Sequence, residues 1–212
     1  DSVKFKKLII IYLFMSYKQG LSLCMLAHRL EFPTKGGMLL PAILGLHEPH
    51  VDEIILADTS EDGRVFEATK DLYPGKLHVS RYPGPLEPLD LGEFRNYTLG
   101  LAEYDWIIAL DPDETVENWI AVRNRIATFV RGEKEDAYLL RGTLINHDTA
   151  ESAEDISDMC RLFRNGIGFK YDGETCEVLV LKDGSYFEKY VDCGWTHHKN
   201  NETLQNPDWG EP

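Results

Sequence analysis

The sequence predicts an α/β fold with an open, mostly parallel (mixed) central sheet flanked by helices. Short apolar runs rich in β-branched and aromatic residues alternate with helical segments over residues 1–110, which is the pattern of a parallel sheet. The chain has 212 residues, of which 43% are hydrophobic, so it can bury one sizeable core. No repeat or linker interrupts it, and we expect a single domain over residues 1–212.

Four strands and three helices are expected in the first half of the chain. Their bounds follow from the apolar runs and from the loops that contain Gly and Pro. The strands are predicted at residues 21–27 (LSLCMLA), 51–57 (VDEIILA), 77–80 (LHVS) and 106–110 (WIIAL), and the helices at residues 38–46, 64–72 and 93–103.

The second half of the chain has a weaker pattern. A helix is predicted at residues 118–130, strands at residues 137–141, 160–163 and 169–171, and an irregular polar tail at residues 200–212. The apolar run LIIIYLFM at residues 8–15 is too short to span a bilayer. It is expected to be a buried strand or helix, so no transmembrane segment is predicted.

The charge and the cysteines limit the partners and the compartment. A formal net charge of −14, with no block rich in Lys or Arg, argues against nucleic acid as a partner. An acidic protein that handles an anionic ligand needs a metal ion or backbone amides to bind it. The four cysteines show no CxxC spacing, which favours free thiols in a reducing compartment. We therefore expect a cytoplasmic protein, with a peripheral membrane association left open.

Three carboxylates follow the fourth strand, in the stretch IIALDPDETV at residues 107–116: Asp111, Asp113 and Glu114. Like charges held at a strand end repel one another unless a cation lies between them. Asp111 and Asp113 form an Asp-x-Asp pair of the kind that holds Mg²⁺ or Mn²⁺ together with substrate phosphates. The alternative is a solvated turn shaped by Pro112, with Glu114 opening the next helix.

Two more residues lie near strand ends. Asp58 ends the second strand, and Arg95 lies early in the helix before the fourth. Ligands of open α/β sheets bind beyond the carboxyl ends of the strands. Asp58 is interpreted either as a nucleotide contact or as a helix cap, and Arg95 either as a phosphate contact or as a surface salt-bridge residue.

These motifs together resemble glycosyltransferase family 2. The resemblance rests on LSLCMLA, then VDEIILADTSEDG, then GEFRNYTLGLAEYDWIIALDPDE, and continues through CRLFRN at 160–165 and YDGETCEVL at 171–179. It covers roughly residues 21–195. The family implies a GT-A fold, with a Rossmann-like nucleotide-sugar-binding half at about residues 1–115 and an acceptor- and metal-completing half at about residues 116–212.

The resemblance also implies an activity, namely the metal-dependent transfer of a sugar from a nucleoside diphosphate sugar, of the UDP type, to a hydroxyl-type acceptor with inversion. The acceptor would be a glycan, a peptide or a lipid-linked molecule. Asp58 would contact the uracil or ribose, and Arg95 would lie near the donor. Asp111 would face the ribose or the water shell of the Mn²⁺ or Mg²⁺ ion, and Asp113 would bind the ion.

The general base is expected in the segment GETCE at residues 173–177. The resembling subgroup usually reads G-x-x-H-E there, so Glu177 matches the acid and Glu174 is the alternative. A buried acid near a diphosphate has a raised pKa, as a base working near neutrality needs. The structural alternative for Glu177 is an ordinary acid at the start of a helix.

The chain departs from the family pattern in three places. Cys176 stands where the subgroup has His, and Asp192 stands where a His commonly completes the metal site. Asp192 can bind a hard cation as well, or His197 or His198 can take over, unless residues 196–198 form a plain surface turn. The loop after the first strand reads HRLE at residues 28–31 in place of the usual Asn-Glu, so a donor with an unusual sugar fits this expectation.

Two other functions compete with the transferase. A nucleotidyltransferase would want a Gly-rich and basic loop after the first strand, and residues 28–37 form no recognisable cradle of that kind. A non-catalytic module that binds a nucleotide or a glycan is compatible with the two missing His residues. UDP binding that depends on a divalent ion, with donor hydrolysis, favours the enzyme, whereas nucleotide binding without turnover favours the module.

Overall fold

The computed structural model describes residues 18–28, 40–87, 90–129, 136–146, 151–174, 178–181 and 188–199. The helices within these ranges are α1 (Leu40–His47), α2 (Arg64–Thr69), α3 (Leu91–Leu101) and α4 (Trp119–Phe129), and one 3₁₀ turn, Glu48–His50, follows α1. The strands are β1 (Lys18–Ala27), β2 (Glu53–Asp58), β3 (Leu77–Arg81), β4 (Tyr104–Ala109), β5 (Glu114–Val116), β6 (Ala137–Asn146), β7 (Glu151–Arg164), β8 (Phe169–Asp172), β9 (Val178–Leu181) and β10 (Glu188–Lys199).

Eight strands form one mixed sheet in the order β3-β2-β1-β4-β7-β6-β10-β5. The four strands β3, β2, β1 and β4 run parallel to one another. Beyond them, β7 runs antiparallel to both β4 and β6, and β10 is parallel to β6 and antiparallel to β5. Strands β8 and β9 form a separate antiparallel pair. This confirms the α/β fold with a mostly parallel, mixed sheet.

The core lies on both faces of the sheet because side chains alternate along each strand. On one face, Leu23 and Met25 of β1 pack with apolar residues of α1 and α4. On the other face, Cys24 of β1 packs with β8 and β9 through Tyr171 and Leu179, and α3 adds Phe94 near the carboxyl end of β1. The sheet is therefore buried on both sides, as parallel sheets require.

Local predictions failed where distant residues determine the structure. Glu114 does not open a helix, because residues 114–116 form β5 and pair with β10, with His197 opposite Glu114 in the register. The alternative of a plain surface turn at residues 196–198 is also wrong, because these residues lie in β10. Strands β6 and β7 are also longer than predicted, because each continues along the other as an antiparallel pair.

Some predicted features lie outside the described residues, namely the segment at residues 8–15, most of the loop at residues 28–37 and the tail at residues 200–212. No helix in the described ranges is long and apolar enough to cross a membrane. Within the described residues, Cys24, Cys160 and Cys193 are free thiols, and Cys176 lies outside these residues.

Candidate functional site

The candidate site lies at the carboxyl ends of the four parallel strands. Strands β2 and β3 lie on one side of β1, and β4 lies on the other side, so the strand order reverses between β1 and β4. Open α/β sheets bind ligands at such a reversal. Asp111 follows the end of β4 at this edge, and Asp58 is the last residue of β2. The structure thus brings both acids to the predicted edge.

Residues 111–114, which we call the acidic turn, are fixed by two reciprocal hydrogen bonds. The backbone N–H of Glu114 donates to the carbonyl of Asp111 at 3.0 Å, and the Glu114 carboxylate accepts from the backbone N–H of Asp111 at 2.8 Å. Pro112 occupies the second position, where its restricted φ favours a turn. The backbone that carries Asp111 and Asp113 is therefore held in one conformation.

Two arginines supply the positive charge that the acidic turn needs. The Arg161 Nη2 atom of β7 lies 2.5 Å from Glu114 Oε1 and 3.8 Å from Asp111 Oδ2. The Arg95 Nη2 atom of α3 lies 2.6 Å from Asp111 Oδ1. Glu114 is completely buried and Arg161 is only 5% exposed. The repulsion expected between these carboxylates is thus offset by guanidinium groups from two distant parts of the chain.

Aromatic rings support both guanidinium groups. Arg161 lies over the ring of Trp195 at 4.9 Å, and Arg95 lies over the ring of Tyr171 at 5.4 Å. Burial disfavours the charged form of Arg161, but the carboxylates of Glu114 and Asp111 outweigh it and raise its pKa. Burial raises the pKa of Tyr171 to about 12 in spite of the two arginines, so its phenol stays neutral beside the ion pairs.

The two arginines differ in how well the sequence predicted them. The interpretation of Arg95 as a surface residue is wrong, because it is 7% exposed and pairs with Asp111. Arg161 was not predicted at all. A signal was present, since CRLFRN places an arginine inside a predicted strand, and a charge that becomes buried in a sheet requires a partner of opposite sign.

Asp58 accepts hydrogen bonds from the loop after β2 and from the first turn of α2, but it is not the N-cap of that helix, which is Gly63. One carboxylate oxygen accepts from the backbone N–H of Ser60 at 2.7 Å and from its hydroxyl at 2.5 Å. The other accepts from the backbone N–H of Phe66 in the first turn of α2 at 3.0 Å. Asp58 is only 2% exposed. These contacts account for the buried carboxylate, and its contact with a nucleotide stays a prediction.

For the predicted bases and the other predicted metal ligands, the structure describes only part of each residue's surroundings. Glu174 is exposed in the loop that follows β8, and Glu177 lies outside the described residues. The backbone of His197 lies opposite Glu114, at the edge that carries the acidic turn. Asp192 lies on β10 within the register shift between Tyr190 and Gly194. Their assignment as base or metal ligands stays a prediction.

The described carboxylates limit the kind of metal site that fits here. Glu114 is buried against Arg161. Asp111 pairs with Arg95 through Oδ1, and both Asp111 and Asp113 are partly exposed. No group of three or more His, Cys, Asp or Glu side chains comes together within the described residues. The two aspartates therefore fit an ion that takes one or two protein carboxylates and completes its shell with phosphates and water, as Mg²⁺ does. They do not form a site made of protein ligands alone.

A buried histidine forms a hydrogen bond to the backbone of the acidic turn. His47 of α1 is completely buried, and its Nε2 atom lies 3.1 Å from the carbonyl oxygen of Glu114. Its ring packs edge-on against Trp119. Burial lowers the pKa of His47 to about 4, so the ring is neutral at pH 7 and donates its Nε2–H to that carbonyl.

Comparison with known proteins gives a distant sequence match and a shared fold. No family model matches the chain. A TPR repeat-containing protein of Synechococcus elongatus is 27% identical over 143 residues, which cover 66% of this chain and 32% of that protein. The chain thus spans about a third of the length of the curated protein that it matches.

Among solved structures, TarS of S. aureus has a TM-score of 0.51 and 18% identity, and the match covers 81% of this chain and 36% of TarS. The chain has a GT-A-like fold. Two similar structures have lower scores. TarS 1-349 in complex with UDP-GlcNAc has a TM-score of 0.48 and 15% identity, over 80% of this chain and 58% of that one. The 4-diphosphocytidyl-2C-methyl-D-erythritol synthase of Anaerococcus prevotii has a TM-score of 0.46 and 16% identity, and the match covers 69% of this chain and 72% of the synthase.

The fold that the sequence resemblance implied is therefore confirmed. Membership of glycosyltransferase family 2 itself stays a prediction, because the identities are low and such likeness concerns the fold alone.

Proposed function

We propose that the protein is a metal-dependent glycosyltransferase that moves a sugar from a nucleoside diphosphate sugar to a hydroxyl-type acceptor. The observation that carries the proposal is the fixed acidic turn at the carboxyl end of β4, beside the end of β1. In a GT-A-like fold, this is the edge at which a nucleotide would bind. An acidic chain with a net charge of −14 needs local positive charge to hold a diphosphate there.

In this proposal Asp111 and Asp113 hold a Mg²⁺ or Mn²⁺ ion. When bound, the ion would neutralise the negative charge that develops on the departing diphosphate. Arg95 keeps the Asp111 carboxylate in one orientation through the 2.6 Å contact. TarS has been solved with UDP-GlcNAc, so we extend that ligand to this chain as the first donor to test.

The acceptor side of the proposal rests on the acids after β8. Glu177, or Glu174 as the alternative, would take the proton from the acceptor hydroxyl as its oxygen attacks the anomeric carbon. A single direct displacement would invert the configuration at that carbon. Asp58 is proposed to contact the uracil or ribose of the nucleotide. The nucleotide would then replace the Ser60 hydroxyl as hydrogen-bond partner of Asp58, while the bond from the Phe66 N–H is kept.

Calorimetric titration of UDP, with and without Mn²⁺, tests the donor site. Wild-type protein should bind UDP only with Mn²⁺, and Asp113→Asn should bind far more weakly. Asp62→Asn is the matched control, because Asp62 is exposed and pairs with Arg64 at the start of α2. UDP binding that is identical in Asp113→Asn, or absent under both conditions, would contradict the metal site.

Release of UDP from UDP-GlcNAc, and then from other UDP-sugars, tests the reaction. Turnover should be lost in Glu177→Gln and kept in Glu174→Gln if Glu177 is the base, and the reverse result would assign the role to Glu174. Protein that binds UDP with Mn²⁺ and releases no UDP from any sugar donor would instead be a non-catalytic binding module.

A further inference from the structure

Helix α3 contacts both sides of the proposed site with adjacent residues. Arg95 extends to Asp111 in the acidic turn. Asn96, the next residue, bonds to the backbone of Tyr171 in β8. Strand β8 leads directly into the segment at residues 173–177, which contains both candidate bases. The same helix turn therefore contacts the donor side and the strand that leads to the acceptor side.

The side chain of Asn96 pairs with both backbone groups of one strand residue. Its Nδ2 atom donates to the carbonyl oxygen of Tyr171 at 2.8 Å, and its Oδ1 atom accepts from the backbone N–H of Tyr171 at 2.7 Å. The two bonds fix which end of the amide is oxygen, because a backbone N–H can only donate. The Asn96 side chain thus satisfies the backbone N–H and C=O of Tyr171, as a neighbouring strand does in a sheet.

Two further contacts fasten the same segment to the first turn of α3. The backbone N–H of Leu91 donates to the carbonyl oxygen of Glu174 at 2.7 Å. Gly92 lies so close to the Gly173 carbonyl that a Cβ atom at position 92 would be 2.5 Å from its oxygen. Within the described residues β8 pairs only with β9, outside the main sheet. Besides the apolar packing of Tyr171 and Leu179 on the sheet, these helix contacts give the loop its directional bonds to the part of the chain that carries Arg95.

We propose that Asn96 is a positioning residue for the transfer reaction. It fixes β8 and the residues up to Glu174, from which the chain continues to Glu177, relative to the ion pair of Arg95 and Asp111. One helix therefore contacts both the donor side and the strand that leads to the base. This inference rests on the proposed function. Catalysis depends steeply on such geometry, because a displacement of about 1 Å can lower the rate by about a hundredfold.

The test compares Asn96→Ala with Asn165→Ala. Asn165 is a matched control, since it is also half-buried and its Nδ2 atom bonds to two carbonyl oxygens, those of Ala102 and Tyr104, at 3.0 Å. It lies at the opposite, amino-terminal end of β4. For each variant we would measure the unfolding midpoint, the Kd for UDP with Mn²⁺, and the kcat for UDP release from the sugar donor that the wild type uses.

We expect the kcat of Asn96→Ala to fall about tenfold or more, with the Kd for UDP within about twofold of the wild type. Asn165→Ala should keep its kcat even if its unfolding midpoint falls equally. Backbone amide hydrogen exchange of residues 171–174 should be faster in Asn96→Ala alone. If Asn96→Ala does not fold, Asn96→Asp replaces it, because it keeps the acceptor for the Tyr171 N–H and loses the donor to the Tyr171 carbonyl. Its kcat should then be lower than that of the wild type and of Asn165→Ala.

Three results would overturn the inference. An unchanged kcat in Asn96→Ala, with faster exchange at residues 171–174, would show that the anchor exists without affecting the reaction. Equal losses of kcat in Asn96→Ala and Asn165→Ala would indicate general destabilisation. A wild-type protein that neither binds UDP nor releases it would overturn the proposed function and this role together, and that failure is recognised before any variant is measured.

Discussion

Arg161 and Glu114 form an ion pair beneath the acidic turn, with 2.5 Å between Nη2 and Oε1 and side-chain exposures of 6% and 0%. The pair joins β7 to the short strand β5 across 47 positions of the chain. Asp111 lies 3.8 Å from the same guanidinium. The position of the acidic turn thus depends on a charge that comes from the second half of the chain.

Removing one member of this buried pair should destabilise the protein strongly. Arg161→Leu and Glu114→Leu should each lower the free energy of unfolding by about 3–5 kcal/mol, because each leaves an uncompensated buried charge. The double variant Arg161→Leu/Glu114→Leu should lose clearly less free energy of unfolding than the sum of the losses in the two single variants. Urea unfolding of the four proteins measures the coupling.

The surface pair of Lys18 and Glu103 is the control for this double-mutant cycle, because its side chains are 63% and 56% exposed. Its coupling energy should be much smaller than that of the buried pair, because solvent screens exposed charges. Additive losses for Arg161→Leu and Glu114→Leu would mean that the two side chains do not stabilise one another in the folded protein.

Two glycines of α3 should respond oppositely to the same substitution. Gly92→Ala should lower the free energy of unfolding by about 1–3 kcal/mol, because its Cβ atom would meet the Gly173 carbonyl oxygen at 2.5 Å. At Gly100 no atom lies within 4 Å of the position of a new Cβ. Gly100→Ala should therefore raise the free energy of unfolding by about 0.5–1 kcal/mol, since alanine favours the helix. Thermal or urea unfolding distinguishes them, and equal effects would place α3 farther from β8.

His47 should make the protein less stable as the pH falls. Its pKa is about 4 in the folded protein and 6.5 for the ordinary side chain, so between these values the unfolded chain binds more protons. The stability that a neutral His47 contributes is therefore fully present above pH 6.5 and is lost on going down towards pH 4. From pH 7 to pH 5 the loss attributable to His47 should be about 2 kcal/mol.

The variant His47→Gln isolates this effect, because glutamine keeps a donor for the Glu114 carbonyl and does not titrate. The difference in free energy of unfolding between wild type and His47→Gln should shift against the wild type by that amount between pH 7 and pH 5. His78→Gln is the control, because the His78 side chain is 56% exposed. A pH-independent difference for His47→Gln would mean that its ring is hydrated in the folded protein.

Arg95 should matter for the donor as well as for Asp111. Arg95→Gln removes the charge that orients the Asp111 carboxylate, and we expect the affinity for UDP with Mn²⁺ to fall at least about tenfold, as charge-assisted bonds are worth more than neutral ones. Arg123→Gln breaks an ion pair with Asp52, 2.7 Å away, on the opposite side of the sheet. It should leave UDP binding unchanged, and an equal loss in both variants would argue against a local role for Arg95.

Local patterns predicted the half of the site that lies at strand ends. The strand before Asp111 was recognised from its apolar run, and the parallel sheet from the alternation of strands and helices, so the edge that carries Asp58 and Asp111 followed. The existence of β10 and of β5 did not follow. A three-residue strand is too short to show a period, and only its pairing with β10 defines it.

The sequence by itself determined the fold class, the sheet edge and the presence of carboxylates there, because hydrophobic periodicity is a property of neighbouring residues. Only the tertiary structure decided what neutralises those carboxylates and what holds the loop after β8. The guanidinium of Arg161 reaches Glu114, and the amide of Asn96 reaches Tyr171, from positions 47 and 75 residues away. Such contacts form because the packed sheet excludes water from these groups, and a buried charge or backbone amide must then find a partner within the protein.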